Sequence, residues 1–136
     1  MADLADITDT NWLTLERRAV TVIAWITVLT GAAQWMAGAP LLSLIAPPSP
    51  GVTGPHLFST VGMFMVLSGG ITLHAQRCRA ALPVVLWWSS AQKLLAAALV
   101  AWGVSRGAFM PIALLVAAFD LASGLLYLDL RRRDMA

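Results

Sequence analysis

The chain has 136 residues, of which 59% are hydrophobic and 12% are charged, and its mean hydropathy is +0.76. These values exclude an ordinary soluble domain and indicate a chain that lies mostly in lipid. The net charge of +2 does not indicate nucleic-acid binding, because the arginines form small groups beside apolar segments rather than a continuous basic patch.

Residues 1–18 form a polar stem before the first apolar segment. Asp3, Asp6 and Asp9 recur at intervals of three residues, with apolar side chains between them. This spacing is compatible with a short amphipathic helix on the membrane surface, although a solvated, partly ordered terminus is favoured. The sequence leaves both alternatives open.

Four apolar segments follow, each about as long as an α-helix needs to be to cross a hydrocarbon core of roughly 30 Å. They are residues 19–39, 57–75, 80–104 and 108–130. The first is too long for the apolar part of a signal peptide, which favours a retained span. The sequence therefore predicts an all-α integral membrane four-helix bundle, a single domain over 19–130 with a basic tail at 131–136.

The connection between the first and second spans is rich in proline and glycine. It contains Pro47, Pro48 and Pro50 and has no charged residue, a composition that predicts an irregular loop. The apolar segment 41–45 at its start is expected to dip into the membrane interface.

The arginines predict the orientation of the bundle. Only Arg106 falls on one side of a four-span topology, whereas the other side carries Arg17, Arg18, Arg77, Arg79, Arg131, Arg132 and Arg133. Because short cytoplasmic loops are enriched in arginine and lysine, both termini are predicted to be cytoplasmic. The predicted location is the bacterial inner (plasma) membrane.

Two ionisable residues fall inside the predicted spans, Lys93 in the third and Asp120 in the fourth. Either one alone at the centre of a membrane helix costs about 2.5–3.5 kcal/mol, so such residues normally face other helices and find partners. The two positions differ in depth by roughly one helical turn. The turn between these spans is very short, which makes the helices antiparallel neighbours. The sequence therefore predicts a Lys93–Asp120 pair.

This pair has three interpretations, which the sequence does not separate. It is a structural ion pair that fixes helix register, a proton relay or ligand site, or a contact with another subunit. Four polar residues are candidates to line a cavity around it, although hydrogen bonds between helices explain each of them equally well. These residues are Gln34, Ser89, Gln92 and Tyr127.

Small residues recur at helical spacing on the predicted spans. Gly31 lies on such a stripe in the first span, Gly62 and Gly69 in the second, and Gly124 in the fourth. Small side chains allow helix backbones to approach closely in a membrane. The stripes therefore predict close packing between helices.

No metal or cofactor site is predicted. His56 and His74 lie at opposite ends of the second span, too far apart to bind one haem, and Cys78 is the only cysteine. Phosphate-binding, dinucleotide and nucleophile-elbow motifs are absent, so we expect a protein that is not an enzyme. His74, with Arg77 and Arg79, is expected to contact anionic lipid headgroups.

The second span carries VGMFMVLSGGITL and the last span carries FDLASGLLYL, which contains the acidic residue. Together with a long first loop and a short basic inner loop, this layout resembles that of DoxX-like small bacterial four-helix membrane proteins. The resemblance covers the whole chain as architecture and implies no functional residues. The sequence departs from small multidrug exporters, whose first span carries a glutamate, because residues 19–39 contain no carboxylate.

The sequence thus predicts a small non-enzymatic membrane protein, an accessory or assembly subunit that packs by helix–helix contacts in a larger complex or homo-oligomer. The small residues on the spans and the scarcity of residues outside them motivate this hypothesis. The alternative is a small proton-linked transporter or ligand-binding membrane protein that uses Lys93 and Asp120.

Overall fold

A computed structural model describes residues 4–48 and 51–135 of the chain, with side chains from residue 12 onward. Every regular element in these ranges is helical. In chain order they are α1 (Leu4–Met36), α2 (Gly38–Ile45), α3 (Thr53–Ala75), α4 (Leu82–Ser105), a 3-10 turn (Pro111–Ala113) and α5 (Leu114–Asp134).

Four of these helical stretches are long and apolar enough to cross a membrane, which confirms the all-α, four-span prediction at that level. They are Trp12–Met36, Thr53–Ala75, Leu82–Ser105 and Pro111–Asp134. The 33 residues of α1 extend for about 50 Å at 1.5 Å per residue, well beyond the roughly 30 Å core. This helix is therefore longer than a membrane span requires.

The N-terminal boundary differs from the predicted one. Residues 4–18 are helical and continuous with the first span, so the predicted boundary at residue 19 lies inside α1. The physical reason is that this stretch contains no proline or glycine, and nothing interrupts helix propagation before Gly31. Residues 4–18 are thus helical, and whether they are solvated or lie on the membrane surface stays a prediction. Residues 1–3 lie outside the described residues.

The loop between the first two spans is shorter than predicted. The first span ends at Met36 rather than residue 39, and the segment 41–45 belongs to the short helix α2. Pro40 explains the break, because its ring would clash with the carbonyl of Met36 in a continuous helix. Instead Pro40 occupies the first turn of α2, where no amide donor is needed.

The other span ends shift by a few residues for similar reasons. The second span begins at Thr53 rather than 57, because Pro55 is tolerated in the first helical turn. Pro83 and Pro111 likewise lie in first turns, so the third and fourth spans begin at Leu82 and Pro111 rather than at 80 and 108. Residues 131–134 of the predicted basic tail are helical, because α5 continues to Asp134.

The long helices are ordered around the bundle as α1, α3, α4 and α5, with each antiparallel to its neighbours. Close packing occurs within two pairs, α1 with α3 and α4 with α5. The pairs meet most extensively at the end of the bundle where α1 and α4 begin and α3 and α5 end, called the basic end below. The core there is formed by Val20, Ala75, Leu82, Leu86, Tyr127 and Leu130.

Candidate functional site

The structure brings Lys93 and Asp120 together between α4 and α5. Lys93 Nζ lies 2.8 Å from Asp120 Oδ1, and the lysine is only 6% exposed. The ammonium also lies 5.3 Å from the centroid of the Phe119 ring, within reach of a cation–π interaction. Both charges are thus compensated inside the protein, which removes most of the penalty of placing either one alone in lipid.

Close backbone packing surrounds this ion pair. Ser90 Oγ donates a 2.7 Å hydrogen bond to the Gly124 carbonyl, one turn from the pair. A Cβ placed on Gly124 would lie 2.9 Å from the side chain of Leu94 and 3.3 Å from the Ser90 carbonyl oxygen. Gly124 therefore lets α5 approach α4 closely enough for the lysine and aspartate to meet.

Two of the four predicted cavity-lining residues, Gln34 and Ser89, make their hydrogen bonds away from this pair. Gln34 Nε2 donates to the Phe58 carbonyl at 2.8 Å, which joins α1 to α3. Ser89 Oγ lies 3.0 Å from Thr72 Oγ1, a contact between α4 and α3. These side chains connect helices at other interfaces.

The remaining two, Gln92 and Tyr127, also have contacts of their own. Gln92 is next to Lys93 in the sequence, but its Oε1 accepts a hydrogen bond from Ser68 Oγ on α3. Tyr127 is 1% exposed and packs in the hydrophobic core at the basic end. Sequence analysis missed Ser68 and Thr72, whose spacing of four residues on one face of α3 was the available signal.

A lateral groove of about 660 Å³ lies between α3 and α4, beside these hydrogen bonds. Its walls are mainly apolar and its polar residues come from both helices. It is lined by Phe64, Leu67, Ser68, Ile71, Val84, Val85, Trp88, Ser89 and Gln92. The groove is open sideways, so in a bilayer it would be reached from the lipid.

The basic end carries an ionic network between α1 and α5 that sequence analysis also missed. Arg17 pairs with Asp134, and Arg133 Nε lies 3.2 Å from Glu16 Oε1. Arg133 Nε is also 3.1 Å from Asp129 Oδ2 on its own helix. The charged residues at this end therefore hold the start of α1 against the end of α5.

The predicted headgroup-binding residues lie on the surface of the basic end. His74, Arg77, Cys78 and Arg79 are all exposed, in the last turn of α3 and the turn before α4. His56 lies at the opposite end of α3. Across the described residues, no three His, Cys, Asp or Glu side chains are grouped so that they could hold a metal ion.

No protein-family model matches this chain, and neither a curated protein sequence nor a solved structure is significantly similar to it.

Proposed function

We propose that this chain is a small non-enzymatic subunit of a membrane complex, which packs by helix–helix contacts with a larger assembly or with itself. The observation that carries the proposal is that polar side chains in the spans are used in contacts that join one helix to another. Lys93 with Asp120, Ser89 with Thr72 and Gln34 with the Phe58 carbonyl all follow this pattern. Such a bundle serves as a rigid scaffold, and its apolar surface remains for contacts with other proteins.

The lateral groove is the surface that the proposal assigns to a partner. Gln92 is exposed there, and its Nε2 has no hydrogen-bond partner among the described residues, since only Oε1 is used by Ser68. Lipid tails offer no acceptor, so an unpaired amide donor facing them is unfavourable. A transmembrane helix that carries a polar side chain or an accessible carbonyl would satisfy this donor, and its apolar side chains would fill the groove.

Extraction in a mild detergent at native expression, followed by native mass spectrometry, tests this function. We expect a stable assembly larger than one chain, whereas a strictly monomeric protein without partners would contradict the proposal. Gln92→Leu should lower the assembled fraction. Gln34→Leu is the matched control, because it makes the same change at the α1/α3 interface, and it should leave assembly intact.

The proposed orientation places both termini in the cytoplasm of a bacterium, with the protein in the inner membrane. This is supported by the gathering of arginines at the basic end, while Arg106 lies at the opposite end of α4. Cys78 is exposed at the basic end and is the only cysteine in the sequence, so it is a natural reporter. A membrane-impermeant maleimide should label inverted vesicles and spare intact spheroplasts; the reverse pattern would reject this orientation.

A second candidate function is proton-linked transport or ligand binding at Lys93 and Asp120. The observation in its favour is a buried ion pair within two candidate membrane spans. Proton or solute flux in vesicles above that of empty controls, and lost in Asp120→Asn, would support it. Flux equal to empty vesicles would end this alternative. The resemblance to DoxX-like proteins stays a prediction, and it does not favour either of these two functions over the other.

A further inference from the structure

A second cavity, of about 600 Å³, lies at the basic end between α1 and the turn that joins α3 to α4. It is lined by Thr14, Arg17, Arg18, Thr21, Val22 and Arg79. Three arginines from distant parts of the sequence therefore line one cavity. Arg17 and Arg18 come from α1, whereas Arg79 comes from the turn before α4.

The three arginines differ in their pairing. Arg17 is neutralised by Asp134, and Thr21 Oγ1 donates a 2.8 Å hydrogen bond to the Arg17 carbonyl. Arg18 and Arg79 are exposed, and the side chain of neither forms an ion pair or hydrogen bond with another described residue. The cavity therefore has two uncompensated guanidinium groups, and guanidinium is the cation best suited to hold two oxygens of a phosphate at once.

An exposed apolar surface continues from this cavity along α1. Val22 lines the cavity and is 58% exposed, and Ile26 and Leu29 follow on the same side of the helix, 38% and 63% exposed. These residues lie within the candidate span Trp12–Met36, so in a bilayer they would face acyl chains. The cationic and apolar parts of this surface are therefore contiguous.

From this arrangement we propose that the cavity binds an anionic phospholipid. Arg18 and Arg79 hold the phosphate of the headgroup, and one acyl chain lies along Val22, Ile26 and Leu29. Soluble phosphate esters share the phosphate chemistry. A lipid is favoured because the apolar surface begins at the cavity itself and a soluble ester would leave it uncovered. This site differs from the headgroup contact that the sequence predicts at His74, Arg77 and Arg79. It includes Arg79 and residues of α1, whereas His74 and Arg77 do not line it.

Native mass spectrometry of the full chain in a neutral detergent tests this site. Phosphatidylglycerol and phosphatidylcholine with identical acyl chains are added, and the ratio of the two bound lipids is measured. We expect the wild-type protein to prefer phosphatidylglycerol. Arg18→Gln and Arg79→Gln should each lower this preference about fivefold, the scale of one basic residue at an anionic membrane surface. Equal binding of the two lipids by the wild-type protein would overturn the proposal.

The matched control is the double variant Arg77→Gln/Arg132→Gln, which removes two exposed arginines from the same end without changing the cavity. It should retain most of the preference that Arg18→Gln/Arg79→Gln loses. An equal loss in both doubles would show a diffuse effect of positive charge and would reject the site. If the cavity double does not fold, the two single variants decide, and a change below twofold in both rejects it.

Soluble glycerol 3-phosphate is the competitor that separates the two sources of phosphate. We expect it to displace phosphatidylglycerol poorly even in large excess, because it lacks the chain that covers α1. Displacement at an equal concentration would mean that the cavity recognises soluble phosphate esters, and the lipid proposal would be overturned.

Discussion

The two closely packed helix pairs, α1/α3 and α4/α5, are held by different kinds of contact. In α1/α3 the backbones touch at glycines, since a Cβ on Gly62 would lie 2.5 Å from Trp35 N and 2.7 Å from the Gly31 carbonyl oxygen. In α4/α5 the central contact is the ion pair of Lys93 and Asp120. The first pair depends on glycines at the contact, whereas the second combines one such glycine, Gly124, with the match between two charged side chains.

The helices of this small bundle therefore associate by more than one physical mechanism. Apolar side chains gain little by leaving lipid for protein, so close van der Waals contact and polar pairing remain as the main attractive terms. Close contact has no tolerance for added volume, whereas the ion pair has no tolerance for loss of one partner. Variants that add volume at the α1/α3 contact, or that remove one partner of the ion pair, should therefore destabilise the bundle for different reasons.

The largest effect is expected from breaking the ion pair on one side. Lys93→Leu or Asp120→Leu leaves one buried charge without its partner, and each should lower the free energy of unfolding by about 3 kcal/mol. The double variant should recover most of this loss, because two leucines need no electrostatic partner. Unfolding in mixed detergent micelles measures the three changes.

The double variant also separates the two candidate functions through the phenotype of a deletion strain. A double variant that is stable and active means that the pair is structural and that partners should be sought elsewhere. A double variant that is stable but inactive makes the pair the working site. Additive losses in the two single variants would contradict the contact itself.

The next largest effect is expected from adding one methyl group to the α1/α3 contact. Gly62→Ala should lower the free energy of unfolding by about 1–3 kcal/mol, because the new Cβ meets backbone atoms that cannot rotate away. Gly70→Ala is the control on the same helix, where nothing lies within 4 Å of the added atom. It should be neutral or slightly stabilising, and equal destabilisation by both would refute the close contact.

A smaller effect is expected at the basic end, where Arg17 pairs with Asp134. Arg17→Gln should lower the free energy of unfolding by up to about 1 kcal/mol, because the pair is only partly shielded from solvent. Arg18→Gln is the neighbouring control, since Arg18 makes no ion pair in the described part of the chain. The difference should shrink in high salt; a salt-independent difference would argue against an electrostatic origin.

The smallest effect is expected from single hydrogen bonds between helices. Gln34→Leu and Gln92→Leu each remove one such bond and should each lower the free energy of unfolding by about 0.6 kcal/mol. They should differ in assembly, where only Gln92 faces the lateral groove. A loss above about 2 kcal/mol in either would show that the bond is part of a larger network.

Several features of this fold can be predicted from the sequence, because each depends on residues within a single helix. The length of each apolar segment determines that it can cross a membrane, and Lys93 and Asp120 stand out because charges are scarce in lipid. Depth along each helix was enough to suggest that these two residues meet. Apart from the start of the first span, the predicted span ends agree with the structure to within a few residues.

The partners of the other polar residues could not be obtained in this way. Gln34, Ser89 and Gln92 were candidates for one cavity around the ion pair, yet the structure joins them to Phe58, Thr72 and Ser68. A helical face of about 100° contains several polar positions, and the rotation of each helix about its axis selects among them. That rotation follows from packing over the whole helix.

An all-helical chain with four segments able to cross a membrane, and two charges that need partners there, thus follow from the sequence alone. The contact of α1 with α3 through glycines, and the cavity that Arg18 and Arg79 both line, follow only from how the helices pack. The physical reason is the range of the interactions. Hydrophobic length, helix propensity and the cost of a buried charge act along one helix, whereas close contact requires two distant backbones to be placed to within an ångström.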